Sequence, residues 1–263
     1  MLDSKTIRRI RTQRLFGRWS IFLLAPLFVA AIKLAGYRVQ NLCETRRRIR
    51  EILRSHPGPW IICANHLTLI DSAILTHAMA PVWVYMADYG RLPWNLPERR
   101  NFHRNRFLKV FCYLAKCIPV TRRGERETIR VALAKCIYVL KSKDSLLVFP
   151  EGGRSRTGLV DKENYAYGVG RLLARVPDCR VMCVYLRGEG QTGYSNFPRR
   201  GERFVMDIRE LNPRTVTGQT GLRAQKDYAK QIIDTLGRME TAYFAGRRER
   251  HRRFGNGLCQ GQA

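Results

Sequence analysis

The sequence predicts an α/β fold, a mixed sheet flanked by helices, with hydrophobic and amphipathic anchoring helices at the N-terminus. Three observations lead there. Short apolar runs of strand character alternate with longer segments of helical periodicity, the pattern of a layered α/β sheet. The 263 residues, 45% of them hydrophobic, suffice for one large domain with a sizeable core. A separate apolar run sits near the N-terminus behind a cluster of arginines and stands outside the alternating pattern.

Residues 1–18 carry Lys5, Arg8, Arg9, Arg11, Arg14 and Arg18 against a single Asp3. The apolar run then extends from Trp19 to Ile32, interrupted by Pro26 and stopped by Lys33. That run as a helix reaches about 21 Å, short of a hydrocarbon core of about 30 Å. Continuing through Lys33 to Tyr37 reaches farther, because a lysine near a helix end can snorkel. A basic flank, a boundary tryptophan and an apolar stretch read as an anchor on the anionic, cytoplasmic leaflet of a membrane. A signal peptide and a buried core helix are the competing readings.

Leu42, Ile49, Ile52 and Leu53 set a helix over 42–55, which Pro57-Gly58-Pro59 ends. Strands are expected at 60–64, 82–87, 117–120, 145–149, 181–187 and 203–209. Helices are expected at 68–79, 104–115, 125–142, 164–175 and 221–241. The segment 125–142 shows the amphipathic spacing in Ile129, Leu133, Cys136, Ile137 and Leu140. This divides the chain into a basic anchoring segment (1–56), an α/β domain (57–246) and a basic tail (247–263) expected to be disordered.

The charge is the compositional outlier: 48 Lys+Arg against 21 Asp+Glu gives +27. Such an excess points to polyanions, whether nucleic acid, an anionic membrane surface or acidic ligands. No recognisable nucleic-acid module accompanies it, and the apolar 19–32 run argues for the membrane. The eight cysteines lie mostly in apolar surroundings, as in Ile62-Cys63-Ala64, and read as buried small hydrophobes in a reducing compartment. Neither Cys112/Cys117 nor Cys179/Cys183 finds the second half-site that a zinc centre requires.

Three stretches carry chemistry. In the first, Trp60-Ile61-Ile62-Cys63-Ala64-Asn65-His66-Leu67-Thr68-Leu69-Ile70-Asp71, an apolar strand delivers His66 at its end and Asp71 five residues on. In a continuous helix those two side chains would point about 140° apart. They meet only if the chain bends at His66 and Asp71 opens the next helix. A His/Asp pair at such a corner suits general-base chemistry, with the carboxylate fixing the imidazole tautomer. A helix-capping aspartate beside an ordinary loop histidine is the alternative. The second stretch, Lys116-Cys117-Ile118-Pro119-Val120-Thr121-Arg122-Arg123, is a short strand ending in a basic turn. In the third, Phe149-Pro150-Glu151-Gly152-Gly153-Arg154-Ser155, a glycine pair lets the backbone approach a ligand. There Glu151 can accept from hydroxyls and Arg154 can hold a phosphate. The string is not a P-loop, and no Gly-x-Ser-x-Gly elbow occurs.

Taken in order, these stretches resemble the glycerolipid (phospholipid/glycerol) acyltransferase family, which includes the lysophosphatidic acid acyltransferases. Asn65-His66-x4-Asp71 is similar to its catalytic block, Ile118-Pro119-Val120-Thr121-Arg122 to its second and Phe149 to Ser155 to its third. The resemblance covers roughly 58–190. It implies that His66 takes a proton from an acceptor hydroxyl that attacks an acyl thioester, while Asp71 orients His66. It assigns Arg122, Glu151, Gly152 and Arg154 to acceptor binding. It implies no metal and no cofactor, with acyl-CoA or acyl carrier protein as co-substrate and a lipid as acceptor. The chain departs from the family pattern at four places. Lys116 and Gly153 stand where Gly and Thr are common, Tyr165-Ala166-Tyr167-Gly168 lacks a lysine, and Cys183 replaces a proline. These departures leave the acceptor open, including a non-phosphoglyceride lipid or a specialised lipid-like product. The reading from a different class is a basic nucleic-acid- or anionic-lipid-binding protein without catalysis. The insert Trp94-Asn95-Leu96-Pro97-Glu98 and the basic residues after it are read as part of the donor or acceptor surface, or else as a surface loop.

Overall fold

Residues 2–102, 105–121, 124–215 and 219–257 are described in this computed structural model. The chain opens with α1 (Ser4–Leu34), β1 (Arg38–Val39), α2 (Leu42–Ser55) and β2 (Trp60–Ala64). Next come α3 (Asp71–Met79), α4 (Val82–Ala87), a 3-10 turn at Tyr89–Arg91, β3 (Trp94–Asn95), α5 (Arg99–Phe102) and α6 (Arg106–Leu114). The remainder is α7 (Arg126–Lys141), β4 (Leu146–Val148), α8 (Gly168–Arg175), β5 (Arg180–Gly188), β6 (Arg203–Leu211) and α9 (Gly221–Gly257).

The strands form one mixed sheet in the order β1-β6-β5-β2-β4-β3. Among the described residues only β5 and β6 run antiparallel; the other strand pairings are parallel. All five residues of β2 are buried, as an unbroken apolar run demands when helices cover both faces. Strand alternation splits its side chains between two layers. Ile61 and Cys63 pack with Cys136, Leu172 and Ile233 from α7, α8 and α9. Trp60, Ile62 and Ala64 pack with Ile49 and Ile74 of α2 and α3, and with Ile32 of α1. The parallel neighbours β2 and β4 place their carboxyl ends on the same edge of the sheet, where α/β folds collect ligands.

Several expected elements differ in kind. Residues 82–87 form helix α4, not a strand. Pro81 supplies the extended N-cap, Tyr85 turns inward and Trp83 is exposed, a one-sided burial that a six-residue apolar run does not reveal. The sheet edge is instead β3, in the stretch read as an insert, where Trp94 N–H donates to Ser145 O at 2.8 Å. Residues 117–120 make only isolated bridges, Cys117 with Asn95 and Val120 with Glu98. The expected helix at 68–79 begins only at Asp71, and α9 runs to Gly257, past position 246.

The apolar 19–32 run belongs to a helix that starts at Ser4, where the Asp3 carboxylate accepts from Thr6 N–H. Its first half is docked on the domain. Gln13 Nε2 donates to Tyr113 O and Cys117 O, Arg14 lies 3.3 Å from Asp144, and Gly17 abuts Tyr89. Lys116 locks the same seam. It is fully buried at φ 54, a left-handed conformation that favours glycine, and its Nζ donates to Tyr89 O and Leu92 O at 3.1 and 2.7 Å. Burial pushes this lysine down to about 8, with Asp144 at 3.7 Å opposing. The second half of α1 turns Trp19, Phe22, Leu23 and Leu27 outward, and α6, which packs against α1, exposes Phe107 and Val110. The helix is long and apolar enough to cross a membrane, with 17% of its most apolar window buried.

Candidate active site

The chain leaves β2 at Ala64, and Asn65 fixes the exit. Its side-chain amide donates to Leu186 O and accepts from Leu186 N–H at 2.9 and 2.7 Å, continuing the β2–β5 ladder with a side chain. The backbone then bends at His66, and Asp71 opens α3, the corner that the five-residue spacing requires. His66 Nδ1 lies 3.0 Å from Asp71 Oδ2. The same oxygen accepts Leu67 N–H at 2.6 Å and Thr68 N–H at 2.8 Å, and Oδ1 accepts the Thr68 hydroxyl. Four donors thus converge on one buried carboxylate, which fixes its orientation and, through it, the ring. The imidazole stacks on Phe149 at 3.9 Å between centroids, with planes 15° apart. With Nδ1 engaged, Nε2 has no hydrogen-bond partner among the described residues, and His66 lines a largely apolar cavity of about 290 Å³.

Glu151 comes from the turn after β4, and its carboxylate lies beneath the corner. Oε1 accepts His66 N–H at 3.0 Å and Oε2 accepts Asp161 N–H at 3.3 Å. Burial pushes this carboxyl up to about 7 against the pull of those two N–H groups. Ser155 N–H donates to His66 O at 2.9 Å, so the third stretch grips the corner through both its carboxylate and its backbone. Gly152, at φ 68, lines the cavity beside His66, and its N–H closes a turn onto Phe149 O. Arg154 sits farther out, on the wall of a second, larger apolar cavity of about 720 Å³. Its Nη1 donates to Asn196 Oδ1 at 2.9 Å and to Ser195 O at 3.5 Å, and its guanidinium lies over the Tyr194 ring. The two cavities share wall residues Leu69, Ser72, Asn95 and Pro97. Of the residues singled out in the sequence, His66, Asp71 and Glu151 touch, Gly152 borders the same cavity and Arg154 stands at its neighbour. Arg122 lies outside the described residues; Thr121, before it, lines the His66 cavity.

Against known families, a model described as Acyltransferase matches residues 44–187. The chain belongs to this acyltransferase family. No protein in a search of curated sequences matches it. The acyltransferase match begins inside α2 and ends within β5, so α1, β6 and α9 lie outside it. It takes in the His66 corner, the Glu151 turn and the Asn95–Pro97 wall of the cavity.

Three features of this candidate site were legible in the sequence to different degrees. Phe149 as the stacking partner of His66 reads from sequence as one more apolar strand residue. Asn65 has a recognisable sign, a polar side chain at the end of an apolar run. The Tyr194–Asn196 contacts to Arg154 come from a loop that no motif marks. Among the described residues no group of histidines, cysteines and carboxylates is arranged to hold a metal, and the described cysteines carry free thiols.

Proposed function

We propose that the protein is a membrane-associated O-acyltransferase that moves a fatty acyl group from an acyl thioester to a hydroxyl of a glycerolipid-like acceptor. The observation that carries this reading is the His66–Asp71 pair, with Nδ1 held by the carboxylate and Nε2 left to the apolar cavity. An acceptor hydroxyl placed against Nε2 loses its proton to His66 as its oxygen bonds to the thioester carbonyl carbon. The carbon–sulfur bond then breaks, and the departing thiolate takes the proton back from His66. Asp71 keeps the imidazole in the tautomer that leaves Nε2 free and stabilises the imidazolium formed on the way. A positioned base of this kind contributes roughly 10²–10⁴-fold. No acyl-enzyme, metal or cofactor enters this scheme.

Arg154 is the proposed ligand for an anionic group of the acceptor, with Gly152 allowing close backbone approach and Arg122 assigned to the same role. The larger cavity, apolar and sharing wall residues Leu69 and Asn95 with the first, suits an alkyl chain. The exposed apolar residues of α1 and the surrounding arginines support attachment to the cytoplasmic face of a membrane. Because the first half of α1 is bound to the domain, the reading favoured is a helix lying along the surface with its outer face in lipid.

Thiol release by the purified protein, with acyl-CoA and acyl carrier protein donors and a panel of lipid acceptors, tests the reading. Transfer should require acceptor and fall by at least about 10²-fold in His66→Ala with an unchanged circular dichroism spectrum. Substantial turnover by that variant would sink the base assignment.

A further inference from the structure

The segment joining β5 to β6, residues 189–202, lies beyond the family match, yet it is bound to both functional corners. On one side, Leu69 N–H donates to Asn196 O at 3.1 Å and Ser195 N–H to Leu67 O at 3.4 Å, so the segment runs beside the 66–71 corner. On the other, Gly158, at φ 74, packs so closely on Gly193 that an added Cβ would sit 2.7 Å from Gly193 Cα. Arg187 ties the two together from below, donating to Gly158 O at 2.6 Å and to Gln191 O at 3.2 Å. The segment is therefore held against the turn that carries Glu151 and Arg154.

Its side chains converge on one guanidinium. Asn196 Oδ1 accepts from Arg154 Nη1 at 2.9 Å, and the Tyr194 ring lies 4.6 Å from the Arg154 carbon. Both partners are uncharged, and Arg154 has no carboxylate partner among the described residues. Orientation is thus supplied without neutralisation, the condition a cation needs to receive an anion. Arg154, Asn196 and the exposed Phe197 stand together on the wall of the 720 Å³ apolar cavity. An amphiphile with an anion next to an apolar chain matches that juxtaposition of a free cation and an apolar wall.

We propose that Asn196 is a positioning residue that holds Arg154 for the anionic group of the acceptor, so that the β5–β6 segment sets selectivity for charged over uncharged acceptors. This rests on the reading of Arg154 as the acceptor's anion ligand. The test compares steady-state transfer to a phosphate-bearing monoacyl acceptor and to the same monoacylglycerol without phosphate. Asn196→Ala should raise KM for the phosphate-bearing acceptor roughly 10-fold, the loss expected for one charge-assisted hydrogen bond, with kcat little changed. KM for the uncharged acceptor should not move. Asn196→Asp, which keeps the shape but neutralises the cation, should do at least as much. Adding Asn196→Ala to Arg154→Ala should cost nothing further, because both remove one interaction. A parallel loss of kcat on both acceptors, or additive losses in the double variant, would overturn the proposal in favour of a merely structural segment. If Arg154→Ala leaves the charged-acceptor KM unchanged while His66→Ala is inactive, the assignment of Arg154 itself fails. If Arg154→Ala raises that KM and Asn196→Ala does not, the positioning role fails alone.

Discussion

Burial pushes the Glu151 carboxyl up from 4.5 to about 7, so the folded protein retains a proton there that the unfolded chain has released. Between those two values the folded state binds more protons, and this group lowers stability as pH rises, with the loss complete above about 7. Glu151→Gln is neutral throughout and keeps a carbonyl oxygen for His66 N–H. It should therefore gain on the wild type as pH goes from about 5 to about 8, by up to roughly 3 kcal/mol. Urea unfolding at both pH values measures this, and parallel pH profiles for the two proteins would exclude Glu151 as the group. The same residue shows what was legible at this scale. The His66–Asp71 contact follows from spacing and a bend, because both residues lie on one short piece of chain. Glu151 was read as a ligand for hydroxyls, and its two oxygens also accept backbone N–H groups of His66 and Asp161, a structural role the motif did not announce. One of those donors is brought in by the pairing of β2 with β4, and no local pattern encodes it.

Helix α1 is where the element scale matters most, because its two halves have different environments. An added Cβ at Gly17 would lie 2.0 Å from Tyr89 Oη and 2.8 Å from Leu114 O, the second a backbone atom with little freedom to move. Gly17→Val should force α1 away from the 3-10 turn and α6 and cost about 1–3 kcal/mol. Leu23→Ser, on the exposed face, should stay within about 0.5 kcal/mol. Denaturant midpoints distinguish the two; equal midpoints would mean the helix is not docked through Gly17. The elements the sequence located well were those with long periodicity or strong punctuation, such as α2 before Pro57-Gly58-Pro59 and α7. It misassigned 82–87 because six apolar residues fit a strand or a short helix equally, and only the side chains that become buried decide. Lys116 was legible as a departure from the family's glycine but not as a clamp. Its left-handed backbone explains why glycine suits the position, and its ammonium binds the carbonyls that hold the turn beneath α1.

Across the whole molecule the dominant quantity is the net charge of +27, which combines with the outward face of α1. Binding to anionic liposomes should fall as salt rises from about 0.1 M to 1 M, over which the screening length shrinks from about 10 to 3 Å. A salt-resistant remainder should persist from the apolar face of α1 and disappear in a variant with Trp19, Phe22 and Leu23 changed to Ser. Cosedimentation reads both components, and binding to nucleic acid in preference to liposomes would refute the membrane assignment. The α/β class was legible in the alternation of segments, but the strand order was not, since β1 is two residues long and carries no pattern of its own. That edge strand has a consequence for how the protein is made. β1 finds its partner only when β6 has been synthesised, and Asn196 reaches Leu69 just before it. The ribosome releases α1 and the His66 corner long before the segments that complete them, and contacts between distant parts of a chain form late. On the reading proposed here, attachment to lipid precedes assembly of the acceptor site.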